Sequence, residues 1–249
     1  MDRKNKILLL LTCVSLIVAA LCGCHIWRQL HVRQEEQRDF ETLEEAVVTQ
    51  PPVDESDADP SETVVYHDIE LLVDKNPDCI GWLSIPGTAI SYPVMHTPDE
   101  PQKYLHRDFS GAYSESGTPF LDYRCNDNGG NLIIYGHNMI NGTMFGGLKR
   151  YLHETAYLDA HPQIVLETRT GVQIYQIFAV AIVDKADEWY RFRSASAAEP
   201  YNDAVQQLVS KVRIYTGESP VYGERLLTLS TCTGVTQRQR LIVVAKQIF

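Results

Sequence analysis

The sequence predicts a mainly β fold of eight strands, closed as a barrel or packed as a sandwich, behind an apolar N-terminal segment. Three observations carry this prediction. Short apolar runs rich in β-branched residues recur from residue 82 to the C-terminus, clusters of turn residues separate most of them, and residues 7–26 hold no Lys, Arg, Asp or Glu. At 249 residues and 44% apolar, the chain suits one sizeable domain with appendages rather than a collagenous or disordered protein.

Taken in order, the basic start Arg3, Lys4, Lys6 precedes an uncharged stretch long enough to cross a bilayer as a helix, and no polar face marks it as a core helix. It is expected to be an uncleaved anchor, with residues 1–6 cytoplasmic and the body of the chain extracellular. Leu21-Cys22-Gly23-Cys24 offers a lipoprotein-type cleavage box as the alternative. Residues 27–66 form the next block, with helix-forming composition over 34–48, where Phe40, Leu43 and Val47 share a face, and a solvated linker over 49–62. Residues 34–62 carry eleven acids and one base, leaving 21 acids and 21 bases elsewhere, so the domain itself is about neutral. That balance argues against a nucleic-acid binder.

The domain is expected over 67–249. A short helix at 67–75 leads into strands at 82–85, 89–94, 118–121, 131–135, 163–167, 172–183, 225–230 and 241–248. Pro86-Gly87, Gly129-Gly130 and Thr170-Gly171 punctuate them. Helices are expected at 143–152 and, between the sixth and seventh strands, at 200–212, where Ala204, Leu208 and Val212 recur every four residues.

Three residues stand where chemistry can be done. Cys232 ends the apolar run from Leu226 and precedes Thr233-Gly234, so its thiol sits at a strand end beside a flexible loop. Arg240 opens the last strand, and in an antiparallel hairpin it comes opposite the cysteine, where a permanently charged guanidinium can serve an oxyanion. Arg238, two residues earlier, shares that face and competes for the role. His137 follows the strand 131–135 after Gly136 and can exchange protons near neutral pH. The seven other histidines form no pair with metal-ligand spacing, and the acidic linker has no calcium-loop pattern, so no metal or organic cofactor is expected. Cys79 and Cys125 are either buried apolar residues or one disulfide.

Thr228-Leu229-Ser230-Thr231-Cys232 is similar to the signature around the sortase cysteine. Tyr135-Gly136-His137 resembles the sortase histidine motif, and Arg240 the sortase arginine. Gly81-Trp82-Leu83-Ser84-Ile85-Pro86-Gly87-Thr88, Tyr92-Pro93-Val94 and Thr118-Pro119-Phe120-Leu121-Asp122 extend the likeness over about 68–249. Asn138-Met139 after the histidine and the long helix-bearing connection at 184–223 resemble class B. The resemblance implies an eight-stranded sortase-type β-barrel with N-terminal helices and a helix between strands 6 and 7. It implies a cysteine transpeptidase in which Cys232 attacks a C-terminal sorting motif of surface proteins, Arg240 steadies the oxyanion and His137 moves the proton. Ser230 and Thr231 are expected to line the cleft and orient substrate or arginine. The acceptor would be an amino group of a peptidoglycan precursor (lipid II) or, in a polymerising member, of a pilin. A plain cysteine endopeptidase and an anchored, non-catalytic binding domain remain as other readings.

Overall fold

The computed structural model describes residues 3–49, 66–126 and 129–249. The chain divides into two compact units, Met1–Thr42 and Leu43–Phe249. Helix α1 runs Arg3–Val47 without interruption. Residues 7–26 and 34–47, expected as separate pieces, therefore fall within one helix, since no Pro or capping residue separates them. The linker beyond residue 49 lies outside the described residues.

In the second unit, α2 (Ile69–Lys75) is capped by Asp68, whose Oδ1 accepts from Leu71 N at 2.9 Å, and it buries Ile69 and Leu72. The barrel strands are β1 (Cys79–Ser84), β2 (Ser91–Met95), β3 (Phe120–Leu121), β4 (Asn131–Tyr135), β5 (Gln163–Thr168), β6 (Gly171–Asp184), β7 (Leu226–Cys232) and β8 (Gln239–Gln247). They pair in the order β8-β7-β4-β3-β2-β1-β5-β6, and β6 pairs back onto β8 to close the ring. Of the two architectures left open by the strand pattern, the barrel is the one formed. The β4–β7 and β2–β3 pairs are parallel and the others antiparallel.

The unbroken apolar run Leu241-Ile242-Val243-Val244-Ala245 of β8 is buried on both faces, as such runs require. The β6–β8 ladder shifts register between Val244 and Ala245, a bulge of the kind that bends a strand around a barrel.

Several expected boundaries move. Only Phe120–Leu121 of the stretch 118–121 pairs, while residues 143–152 hold a 3₁₀ turn (Gly146–Lys149) that leads into α3 (Arg150–His153), with α4 (Thr155–Ala160) beyond. The helix in the β6–β7 connection, α5, spans Ala198–Val209. The sequence between α5 and β7 adds a strand that the helical periodicity concealed: Val212–Tyr215 pairs with β6 outside the closed ring. Its alternating, half-buried Val-Arg-Ile-Tyr pattern is the period-2 signal of an edge strand.

A buried polar network ties the segment before α2 to the barrel. Glu167 on β5 accepts from His67 N at 2.8 Å and faces His67 Nδ1 at 2.6 Å. The other ring nitrogen lies 3.5 Å from Glu44. The imidazole stacks on Trp82, ring centres 4.4 Å apart; Trp82 Nε1 donates to Ser91 Oγ at 2.8 Å, and Ser91 in turn donates to Glu44 at 2.6 Å. Burial alone would make His67 less basic, but the two carboxylates win and raise its pKa above 6.5.

A raised folded-state pKa stabilises the protein fully below pH 6.5, and that stabilisation is lost as pH rises through the raised value. Denaturant midpoints measured from pH 6 upward are therefore expected to fall in the wild type and to flatten in His67→Gln. His67→Ala, which leaves the Glu167 carboxylate buried without its ring partner, is expected to cost about 3 kcal/mol in the same assay.

Candidate active site

The site forms where β4, β7 and β8 meet at one rim. Along β7 every residue is buried until Cys232, which is exposed. Cys232 pairs directly across with Arg240. Because Thr233 N donates to Gln239 O at 3.3 Å, the two form a non-hydrogen-bonded pair of the antiparallel ladder. In that geometry Cα atoms come within about 4.5 Å and the side chains lie closest on a shared face.

The rival arginine is engaged elsewhere. Arg238 Nε and Nη2 each donate to the Asp184 carboxylate at 2.9 Å, a bidentate pair at the surface end of β6. Arg240 instead donates from Nη1 to Gln237 O (2.9 Å) and Gln239 O (3.1 Å) of its own loop. Its Nε and Nη2 meet no protein acceptor among the described residues.

Since β4 and β7 are parallel, their C-terminal ends arrive together, and His137 lies just past the end of β4. Gly136 is required there: a Cβ on it would come within 2.7 Å of the Phe145 ring, which packs directly beneath the bend. His137 Nε2 lies 2.8 Å from Leu105 O. A carbonyl only accepts, so Nε2 carries the proton and Nδ1 is the free base. Burial lowers the His137 pKa, outweighing the upward pull of the hydrogen bond to the Leu105 carbonyl, and the neighbouring His106 ring, centred 5.3 Å away, adds a lesser lowering. His137 is thus held neutral at pH 7.

Cys232, His137 and Arg240 all line one groove of about 450 Å³, which Arg238 does not reach. One wall comes from the β6–β7 connection (Lys185, Asp187, Tyr190), the other from Gln102, Leu105 and Tyr123. Ser230 and Thr231 also line the groove, but both are buried and their hydroxyls are engaged: Ser230 Oγ with Tyr190 OH at 2.7 Å, and Thr231 Oγ1 donating to Gly136 O at 2.7 Å. Neither hydroxyl bonds to Arg240.

The sequence reading assigned no role to the polar floor of the groove. Asp122 is buried, accepts from Tyr135 OH at 2.9 Å and pairs with Arg124 Nε and Nη2 at 2.8 and 2.6 Å. Burial would raise its pKa, but Arg124 outweighs that and holds the carboxyl low. The signal available was a charged Asp at the end of the apolar run Pro119-Phe120-Leu121, two residues before an Arg.

Cys79 and Cys125 are free, buried thiols, so the disulfide alternative is not formed. Burial pushes the Cys79 thiol up to about 11 and raises Cys125 as well, which suppresses the thiolate at both. Among the described residues no group of three or more His, Cys, Asp or Glu side chains could hold a metal ion.

An exposed thiol, a permanent cation and an imidazole with a lowered pKa line one groove at the rim of a closed barrel, the three groups that a cysteine-centred acyl transfer needs. Comparison with known proteins gives the family. The sortase domain model matches residues 83–248. Sortase B of Listeria monocytogenes is 34% identical over 160 residues, spanning 63% of this chain and 63% of that relative. The X-ray structure of Clostridium perfringens sortase B superposes with a TM-score of 0.67 at 31% identity, covering 73% of this chain and 100% of that one. A Staphylococcus aureus sortase B–substrate complex gives 0.66 at 28%, covering 72% and 84%. The chain belongs to the sortase family, and its likeness within that family is to sortase B.

Gly136→Ala is expected to lower unfolding stability by about 1–3 kcal/mol, the usual cost of forcing an extra group into a packed contact. Urea denaturation followed by tryptophan fluorescence measures it.

Proposed function

We propose that this protein is a membrane-anchored cysteine transpeptidase that cleaves a C-terminal sorting motif of surface proteins and joins the acyl part to an amino group of the peptidoglycan precursor. The observation that carries the reading is the cross-strand pairing of Cys232 with Arg240 in a groove that also holds His137. The likeness to a sortase B solved with its substrate supports the substrate class.

In this mechanism the Cys232 thiol proton passes to His137 Nδ1 as Sγ attacks the scissile carbonyl carbon. The oxyanion that forms accepts from the uncommitted N–H groups of Arg240. The imidazolium then gives its proton to the departing amine nitrogen, the C–N bond breaks, and a thioester on Cys232 remains. An incoming amine attacks that carbonyl, neutral His137 takes its proton, and the C–S bond breaks as His137 returns that proton to Cys232 Sγ, which regenerates the enzyme. The Leu105 carbonyl keeps the proton on Nε2 throughout, so Nδ1 does both transfers. Ser230 and Thr231 shape the groove around the acyl group, and no cofactor enters any step.

The domain plan follows the same reading. Residues 1–6 are cytoplasmic, 7–26 cross the bilayer, 27–66 space the enzyme from the membrane, and 67–249 form the catalytic domain outside. The 45-residue α1 is about 68 Å long at 1.5 Å per residue, against a hydrocarbon core of about 30 Å. Part of it is apolar enough to span.

Full-length protein in detergent is incubated with a panel of sorting-motif peptides, with and without an amine acceptor, and followed by intact mass. The expected result is an acyl adduct on Cys232 that is absent in Cys232→Ala and is passed to the amine. An adduct released only to water whatever amine is supplied identifies an endopeptidase, and no adduct from any peptide overturns the enzymatic reading. Arg240→Ala is expected to lower kcat by about 10²–10³-fold, the usual loss of an oxyanion donor, whereas Arg238→Ala leaves it within a few-fold of wild type.

A further inference from the structure

The parallel ladder between β4 and β7 ends just where the candidate base and nucleophile begin. Its last backbone rung is Gly136 N donating to Ser230 O at 3.1 Å. In a regular parallel ladder the next rungs would be Cys232 N to Gly136 O and Asn138 N to Cys232 O. Both acceptors are taken by side chains instead. Thr231 Oγ1 donates to Gly136 O at 2.7 Å, and Asn138 Nδ2 donates to Cys232 O at 2.7 Å. The backbone after Gly136 has turned away, with Asn138 bridging to Met144 and Phe145 N donating to His137 O at 2.9 Å.

We propose that Asn138 and Thr231 are positioning residues that lock His137 against Cys232, each supplying by side chain the rung that the backbone gives up when it bends to present the imidazole. His137 is bracketed by Gly136 and Asn138, and each is tied to the nucleophile's strand, one at residue 231 and the other at Cys232. A second observation marks this as a place kept for function. Asn138 Oδ1 is buried and has no hydrogen-bond partner among the described residues, a state that costs about 1–3 kcal/mol in general. Rotating the amide would give no relief, because Oδ1 would then face the Cys232 carbonyl oxygen and the Nδ2 bond would be lost.

The inference deepens the transpeptidase reading and rests on it for its kinetic consequence, so the test needs a readout independent of turnover. Titration of the His137 ring by NMR provides one, its signal assigned by its absence in His137→Gln. In the wild type the midpoint is expected below 6.5, because the ring is half-buried, with His106 beside it. Asn138→Ala and Thr231→Val release one tie each, let water reach the ring, and are expected to move that midpoint up toward 6.5. In full-length enzyme acting on a sorting peptide, each is expected to lower kcat by about 10- to 100-fold with KM little changed, as misplacing a catalytic group by about 1 Å does. Thr231→Ser keeps the hydroxyl and is expected to recover most of what Thr231→Val loses. Asn138→Asp keeps the shape but has no amide donor, and is expected to be at least as impaired as Asn138→Ala. Unshifted His137 midpoints in both Asn138→Ala and Thr231→Val, or an Asn138→Asp enzyme with wild-type kcat, would overturn the clamp. If the wild type transfers no peptide while the midpoints shift as described, the clamp stands and the transpeptidase reading falls.

Discussion

The ladder between β6 and β8 is the constraint on which the rest of this molecule depends. It closes the sheet on itself and fixes the register of β8 on both sides at once: Arg240 stands opposite Val183 of β6 and opposite Cys232 of β7. Side chains alternate across a strand, so a slip of one residue would turn Arg240 away from the groove and carry Leu241 to the position beside the thiol. The apolar run Leu241–Ala245, buried on both faces, makes such a slip expensive. The pairing of Cys232 with Arg240 at the rim is thus set by hydrophobic packing several residues away.

The same barrel separates stability from chemistry. The His67, Glu167 and Glu44 network lies among residues flanking α2 and the β1–β2–β5 side, while the groove opens where β4, β7 and β8 end. The N-terminal network is held by two short contacts from His67 to Glu167 and stacked on Trp82, with Glu44 3.5 Å from the other ring nitrogen, so the buried charge is compensated on both sides. The rim holds an exposed thiol, a guanidinium with unused donors and a buried amide oxygen without a hydrogen-bond partner among the described residues. A half-buried imidazole sharing a groove with an exposed thiol suits a reaction in which the same nitrogen must both give and take a proton near neutral pH.

Much of this was legible in the sequence because strand ends are. Cys232 and His137 each follow an apolar run that stops at small or polar residues, and Gly136 advertises a bend that only the contact with Phe145 explains. The choice between Arg238 and Arg240 was open because both share a face; Asp184, distant in sequence and brought near by barrel closure, engages Arg238 and leaves Arg240 lining the groove. The strand Val212–Tyr215 was hidden because Val212 also continues the four-residue spacing of the helix before it. The ties made by Asn138 and Thr231 were not legible at all, since their partners are backbone carbonyls and leave no mark in a pattern of side chains.

The central claim is that strand register places Arg240 to receive the charge that develops when Cys232 is acylated. The most direct test is a crystal structure of full-length protein trapped as the Cys232 acyl-enzyme. The account predicts an Arg240 N–H donor within about 2.7–3.1 Å of the acyl carbonyl oxygen. It also predicts that Arg238 remains paired with Asp184 and that the His137 Nδ1 edge faces the thioester. An acyl oxygen bonded to Arg238, or one with Arg240 turned away into its own loop, would contradict it.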